Sequence, residues 1–398
     1  MMKKNVLFVV LVLALVLVGC AEHEHSWNEV ASTAPTCTAD GERVFKCKGC
    51  GATRTEMVEK LSHSFGEWNG ETQERTCSGC GLVEKSMDLS FLENYAEDAA
   101  TKPEGFSFTD SKSDVNNPEL VEREVHISSK EALLYYAYRF DRKAAFESCK
   151  NHGGSSGDSY CIWYQNTYVN SGHTFVTNVY LDCDIDFENE ILPSGMEIYG
   201  TTFKGQGHTI KNVRVYGSKA NDGNAGLFHL GAGGNAYFAS IEDLNIDNVH
   251  VETSTKNSEN AHAGVAVSVG TTSISNVNIT NSSAVGGKYT GVIAGFIDGG
   301  SIVDCSVENC MASGQYKIGG AVGQIGAGKG DVKNNSFKNV ELKVENLIEG
   351  KTAVMGKVVG YYNCDGECSG NSFDGVLPEG CSSWIGTVGN RLNVVESN

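Results

Sequence analysis

Proline is scarce in this chain. Five prolines stand against 47 glycines in 398 residues, so stiff spacers have little place and the chain is punctuated by bends. Positive charge is short as well: 31 Lys and Arg face 49 Asp and Glu, and the formal charge of −18 disfavours nucleic acid, whose phosphates demand basic contacts. Acidity on this scale reads as solubility. The apolar stretch 6–18 holds 13 residues, too few for a helix that spans a bilayer. With 398 residues there is room for two or three domains.

What the chain does have is a repeat. Six segments, 209–216, 240–249, 273–282, 301–310, 331–340 and 367–376, share the pattern apolar, any, Asn or Asp, apolar, any, apolar, any, Asn or Gly. Aligned as columns, Ile210, Ile241, Ile274, Ile302, Val332 and Cys368 precede a polar column of Asn212, Asp243, Asn276, Asp304, Asn334 and Gly370. A second such column holds Gly217, Asn248, Asn281, Asn309, Asn339 and Gly375. Alternation between the columns predicts strands. The columns themselves predict corners, because Asn, Asp and Gly enter the left-handed region at small cost. Positions in the second column are 31, 33, 28, 30 and 36 residues apart, the period of a unit that buries its apolar face only by stacking on its neighbours. Between these segments recurs a Gly-apolar element at Gly226, Gly264, Gly291, Gly320 and Gly356.

The Gly-apolar-apolar-Gly element followed by a Ser-Ile-x-Asn-Val strand resembles the GLUG repeat of bacterial surface proteins. The resemblance implies a mainly β fold, a right-handed parallel β-helix solenoid over 121–398. Independently, Ser128 and Glu131 form a capping box ahead of Leu133, Tyr136, Ala137 and Phe140, which predicts a helix ended by Gly153-Gly154 and able to cap the first coil.

At the N-terminus, Lys3 and Lys4 precede the apolar stretch, and Leu17-Val18-Gly19-Cys20 closes it, the shape of a cleaved signal over 1–20. That ending resembles the lipobox of bacterial lipoproteins. It implies a lipid on Cys20, attachment to a membrane, and a place in the cell envelope outside the cytoplasm.

Residues 21–87 carry different chemistry. Cys47-Lys48-Gly49-Cys50-Gly51 and Cys77-Ser78-Gly79-Cys80-Gly81 are two C-x2-C-G knuckles 26 residues apart, and Cys47, Cys50, Cys77 and Cys80 could surround zinc tetrahedrally. This segment resembles a small zinc ribbon, in which the metal substitutes for a core. Disulfide bonding is the alternative outside the cytoplasm. His25-Ser26-Trp27 and His63-Ser64-Phe65 open two related modules, the first continuing through Cys37 to Cys47 and Cys50, so Cys37, Cys47, Cys50 and His63 are an alternative ligand set. Residues 88–120 turn acidic and read as a linker, although Phe91, Tyr95, Phe106 and Phe108 could dock on a neighbour.

Among the other cysteines, Cys305, Cys310 and Cys368 fall in apolar columns and read as buried small residues. The pairs Cys149 with Cys161 and Cys364 with Cys368 are disulfide candidates. Asp182, Asp184 and Asp186 alternate with apolar residues, share a strand face, and could hold calcium. No reactive residue type recurs from coil to coil: the outward positions are Arg214, Asn245, Asn278, Ser306, Ser336 and Ser372. Two functions remain open. One is a structural or adhesive surface module that binds extracellular polysaccharide or host protein, with Tyr237, Phe238, Tyr289, Tyr316, Tyr361, Tyr362 and Trp384 as stacking surfaces. The other is a polysaccharide lyase or hydrolase acting on acidic glycans.

Overall fold

The structure, a computed structural model, describes residues 24–389 except 62, 67, 70–71, 73, 115–116, 141–174, 199–200, 218–222, 231–238, 254–260, 346, 379–380 and 382. Cys20, Cys149, Cys161 and Gly153-Gly154 lie outside the described residues. Contacts divide the chain into two units, Met1–Asn69 with Glu74–Glu84, and Gly70–Gln73 with Lys85–Asn398. Among the described residues no helix is long and apolar enough to cross a membrane.

The second unit is mainly β, and its long sheets are parallel. Among the described residues seven passes of the chain each add one strand to each of three sheets, which reach nine strands with Phe106–Asp114 and Asn117–Ile127, eight with Ser283–Val285, and seven, and a fourth, four-stranded sheet joins in the middle passes. Register turns the apolar alternation into continuous inward ladders. One runs Phe203, Ile241, Ile274, Ile302, Val332, Cys368. Another runs Ile185, Ile210, Ile246, Ile279, Val307, Phe337, Phe373. All but Phe373 are buried, and each such side chain contributes about 1.5–3 kcal/mol by leaving water.

The corner columns have the conformation their chemistry predicts. Asp243, Asn276, Asp304, Asn334 and Gly370 have φ of 53°, 50°, 55°, 56° and 66°, and Asn248, Asn281, Asn309 and Asn339 have φ of 53°, 52°, 57° and 53°. Amides also bond along the stack: Asn276 Nδ2 donates to Asp243 Oδ1 at 2.6 Å, and Asn339 Nδ2 to Asn309 Oδ1 at 2.7 Å. Replacing Asn276 with Val is therefore expected to cost about 2 kcal/mol, since a β-branched side chain resists φ > 0, whereas Asn276→Gly should cost under about 1 kcal/mol. The urea midpoints of the two variants check this, and equal midpoints would remove the corner argument.

Three alignments are corrected by register, the first at Gly375, which pairs with Val340 and so lies past the corner that Asn339 holds. The strands pair Lys211 with Asp247 and Val213 with Val249, so Asn212 (φ 56°) stands beside Asn248 rather than Asp243. Segment 209–216 is thus the second half of a pass, and Gly217 lies beyond the corner, donating to Glu252 O. The slip has a cause: both corners carry the same apolar-x-Asn/Asp-apolar motif, and one copy matches either. Likewise, the glycine ladder runs Gly264, Gly291, Gly319, Gly356, with Gly319 in place of Gly320. A Cβ on Gly291 would lie 2.3 Å from Ala294 O, so the bend there excludes any side chain.

The expected helix spans Lys130–Tyr138, ending at Arg139 well short of Gly153-Gly154, and it is capped one residue later than the motif suggests: Ser129, not Ser128, accepts from Ala132 N at 3.1 Å. Glu131 instead accepts from Tyr95 OH. Six of its residues, Ala132 to Ala137, are buried, so it is a plug packed on Ile185–Leu192 and Met196–Glu197 rather than a half-exposed helix. Segment 88–120 is no linker. It forms a 3-10 turn, Ser90–Asn94, and the strand Phe106–Asp114, which pairs antiparallel with Asn117–Ile127 and closes one edge of the nine-stranded sheet. Leu92 and Phe106 enter the core, and the acidic side chains that suggested a linker include the exposed Glu93 and Asp98.

Candidate functional site

Three clusters of chemically capable residues can be located. In the first unit the two knuckles do not share a centre. Cys37, His63, Cys77 and Cys80 place one ligand atom each within 4.8 Å of one another, and His25, Cys47 and Cys50 do the same separately. The four-cysteine set Cys47, Cys50, Cys77, Cys80 is corrected accordingly, and so is the alternative set, since Cys37 and His63 join the second knuckle, Cys77 and Cys80, rather than Cys47 and Cys50. The reason is strand pairing. Trp27–Thr33, Gly41–Cys47 and Thr53–Val58 form an antiparallel sheet that pairs Trp27 with Cys47 and so holds His25 at the first knuckle, while a bridge from Phe65 to Cys77 does the same for His63.

Each knuckle turns as expected under its glycine: Gly51 and Gly81 both have φ 74°, with their N–H groups donating to Cys47 O and Cys77 O. Burial opposes ionisation of Cys77, but hydrogen bonds from His63 and from the N–H groups of Gly79 and Cys80 lower it to about 6, while Cys80, burial and Cys77 raise Cys37 to about 11. Neighbouring thiols thus resist joint ionisation unless a cation enters. The donor set fits zinc. Zn–S of about 2.3 Å and Zn–N of about 2.05 Å give tetrahedral edges of about 3.8 Å for S···S and 3.6 Å for S···N. Cys37 and Cys77 sulfurs are 3.9 Å apart, and Cys80 Sγ is 3.3 Å from His63 Nδ1.

The acidic strand does not gather into a calcium site. Asp182 accepts from His126 and Gln206, Asp184 from Thr209 N with His208 alongside, and Asp186 from Asn212 and Glu188 N, so the three carboxylates are separately occupied. Cys364 and Cys368 are thiols rather than a disulfide, each in its own buried contact: Cys364 donates to Gly330 O, and Cys368 accepts from Asn371. Burial raises Cys305 to about 12 and Cys310 to about 11, in keeping with small apolar roles. A groove on the eight-stranded sheet holds Arg214, His250 and Glu252. Both ring nitrogens of His250 are engaged, by Ser283 at 2.9 Å and Asn248 at 3.0 Å.

The third cluster is aromatic and cationic. Two ladders meet across the glycine bend, half-buried except for the buried Lys317: His262, Tyr289, Lys317 on one strand row, and Phe296, Gln324, Tyr361 on the next. His262 stacks on Tyr289 with centroids 4.8 Å apart, and Phe296 meets Tyr289 edge-on at 5.7 Å. Lys317 Nζ lies 3.6 Å from the Tyr361 ring, 4.9 Å from Tyr289 and 5.4 Å from Tyr316, and donates to Gln324 Oε1 at 2.7 Å. Burial, then Lys288 and Lys351, lower Lys317 to about 8. Lys288 and Lys351 face Tyr289 and Tyr316, and Lys357 faces Trp384. Tyr289, Tyr316 and Tyr361 are thus brought together, Tyr362 is a buried core residue bonded to Gly330 O, and Tyr237 and Phe238 lie outside the described residues. Lys317 went unmarked in the sequence, although its position, two before the ladder glycine, repeats as His262, Tyr289 and Lys317.

Comparison with protein-family models, with characterised proteins and with solved structures found no match.

Proposed function

We propose that this is a lipid-anchored protein of the cell envelope, held through Cys20, whose second unit is a GLUG-type right-handed parallel β-helix that binds an anionic extracellular polysaccharide. One observation carries the reading: in a chain of net charge −18, lysines and tyrosines converge on the strip around Lys317. Tyrosine faces suit sugar rings, and ammonium groups suit carboxylate or sulfate. The first unit is a zinc-stapled module, its four-ligand centre at Cys37, His63, Cys77 and Cys80 serving folding rather than catalysis. Binding is favoured over lyase or hydrolase chemistry because the imidazole of His250 has both nitrogens occupied and the carboxylates of the acidic strand are individually bonded.

Calorimetric titration of the protein with polygalacturonate tests this. Lys317→Gln and Tyr361→Ala are each expected to weaken binding about tenfold or more, which corresponds to about 1.4 kcal/mol. Binding should also decline as pH rises through about 8, because Lys317 loses its proton there. Stability moves the opposite way. The unfolded chain keeps that proton to about 10.4, so the penalty for burying the charge is full below pH 8 and relieved between the two values. Unchanged affinity in both variants would remove the strip as the site, and release of unsaturated or reducing ends from the polymer would replace binding with catalysis.

A further inference from the structure

We infer that the first unit holds two metal ions, the second at His25, Cys47 and Cys50, and that the two sequence modules exchange a ligand through Cys37. This rests on the zinc reading of the four-ligand centre and is independent of glycan binding. The same local device is built twice. Lys48 N donates to Ser26 O at 3.1 Å, as Ser78 N does to Ser64 O at 2.8 Å. Cys47 N bonds Ala52 O at 2.8 Å, as Cys77 N bonds Leu82 O at 2.8 Å. Each histidine rests on the aromatic ring two residues on, His25 on Trp27 at 5.0 Å and His63 on Phe65 at 5.5 Å, and each ring carries a guanidinium, Arg54 at 5.0 Å and Arg75 at 4.5 Å.

The distances match as well as the topology. Cys50 Sγ lies 3.5 Å from His25 Nδ1, close to the tetrahedral S···N edge of about 3.6 Å set by zinc bond lengths. The modules differ in Cys37. It belongs by sequence to the first module, yet its sulfur lies 3.9 Å from Cys77 Sγ, over the second knuckle. Gly79 makes room for it: a Cβ there would lie 3.3 Å from Cys37 Sγ. Deleting the first module would therefore remove a ligand from the second.

Metal content of the full-length chain, measured by mass spectrometry, decides the first half of the inference. Two zinc ions per chain are expected, falling to one in Cys50→Ser, to one in Cys80→Ser and to none in the double variant. Cys50→His, which keeps a donor, should retain two and guards against loss through misfolding. One ion in the unsubstituted chain overturns the second centre while leaving the four-ligand centre standing, and no ion overturns both. Cobalt substitution decides the exchange. With the first knuckle removed by Cys47→Ser and Cys50→Ser, adding Cys37→Ser should lower thiolate-to-cobalt absorption by about a third, one thiolate of three. With the second knuckle removed by Cys77→Ser and Cys80→Ser, Cys37→Ser should change nothing. The reverse pattern, or a Cys37–Cys77 disulfide found under non-reducing conditions, overturns the exchange.

Discussion

Chelation of metal is expected to unfold the first unit and leave the parallel sheets of the second intact. Among the described residues of the first unit, the buried apolar side chains are Cys47 and Cys77, while Val30, Met57, Leu61, Leu82 and Val83 are exposed. So little buried surface cannot offset the ordering of three strands, each residue of which costs about 1–2 kcal/mol in backbone entropy. Structural zinc supplies about 10–16 kcal/mol of apparent free energy at neutral pH, which is enough to reverse the balance. Hydrogen exchange read by mass spectrometry, with and without chelator, is the check. Protection should vanish from Trp27–Thr33, Gly41–Cys47 and Thr53–Val58 and persist in Thr272–Ser275 and Ser306–Gly314. Protected strands in a unit stripped of metal would show that something other than the thiolates holds it.

In the second unit, Phe337→Ala is expected to cost about 3–5 kcal/mol, a large share of the 5–15 kcal/mol of a typical domain. Phe337 is 1% exposed, and its inward ladder sets it between Val307 and Phe373, whose ring centroid lies 6.0 Å away. Its ring also lies 3.2 Å from where a Cβ on Gly320 would be, so the backbone approaches closely and no neighbour can swing in to fill the gap. Stacked passes contact chiefly their neighbours, which makes the loss local. Urea titration gives the magnitude, and exchange should rise first in Ser306–Gly314 and Ser372–Val376. A cost below about 1 kcal/mol would mean that the ladder is loosely packed there.

The sequence determined the repeated elements of this protein, though not the strand Phe106–Asp114 that its acidity hid, and it did not determine how the elements meet. Strand alternation, the left-handed corners at Asn276 or Asn309, and the turn under Gly51 or Gly81 are settled within a few residues by sterics, so they were legible in advance. Register was not, because Asn212 satisfies either of two identical corner motifs and only pairing with Val249 and its neighbours chooses. Nor was ligand grouping. A C-x2-C spacing brings two sulfurs together but leaves open which histidine or distant cysteine completes them, and a tertiary approach brought Cys37 to the second knuckle. The same holds for Lys317, which looked like any surface lysine until parallel stacking set it against Tyr361, 44 positions away in the chain and 3.6 Å away in space. Local conformation follows from each residue's own sterics and alternation, whereas the sites arise where passes of the chain meet, and that is decided by how the whole buries its apolar ladders.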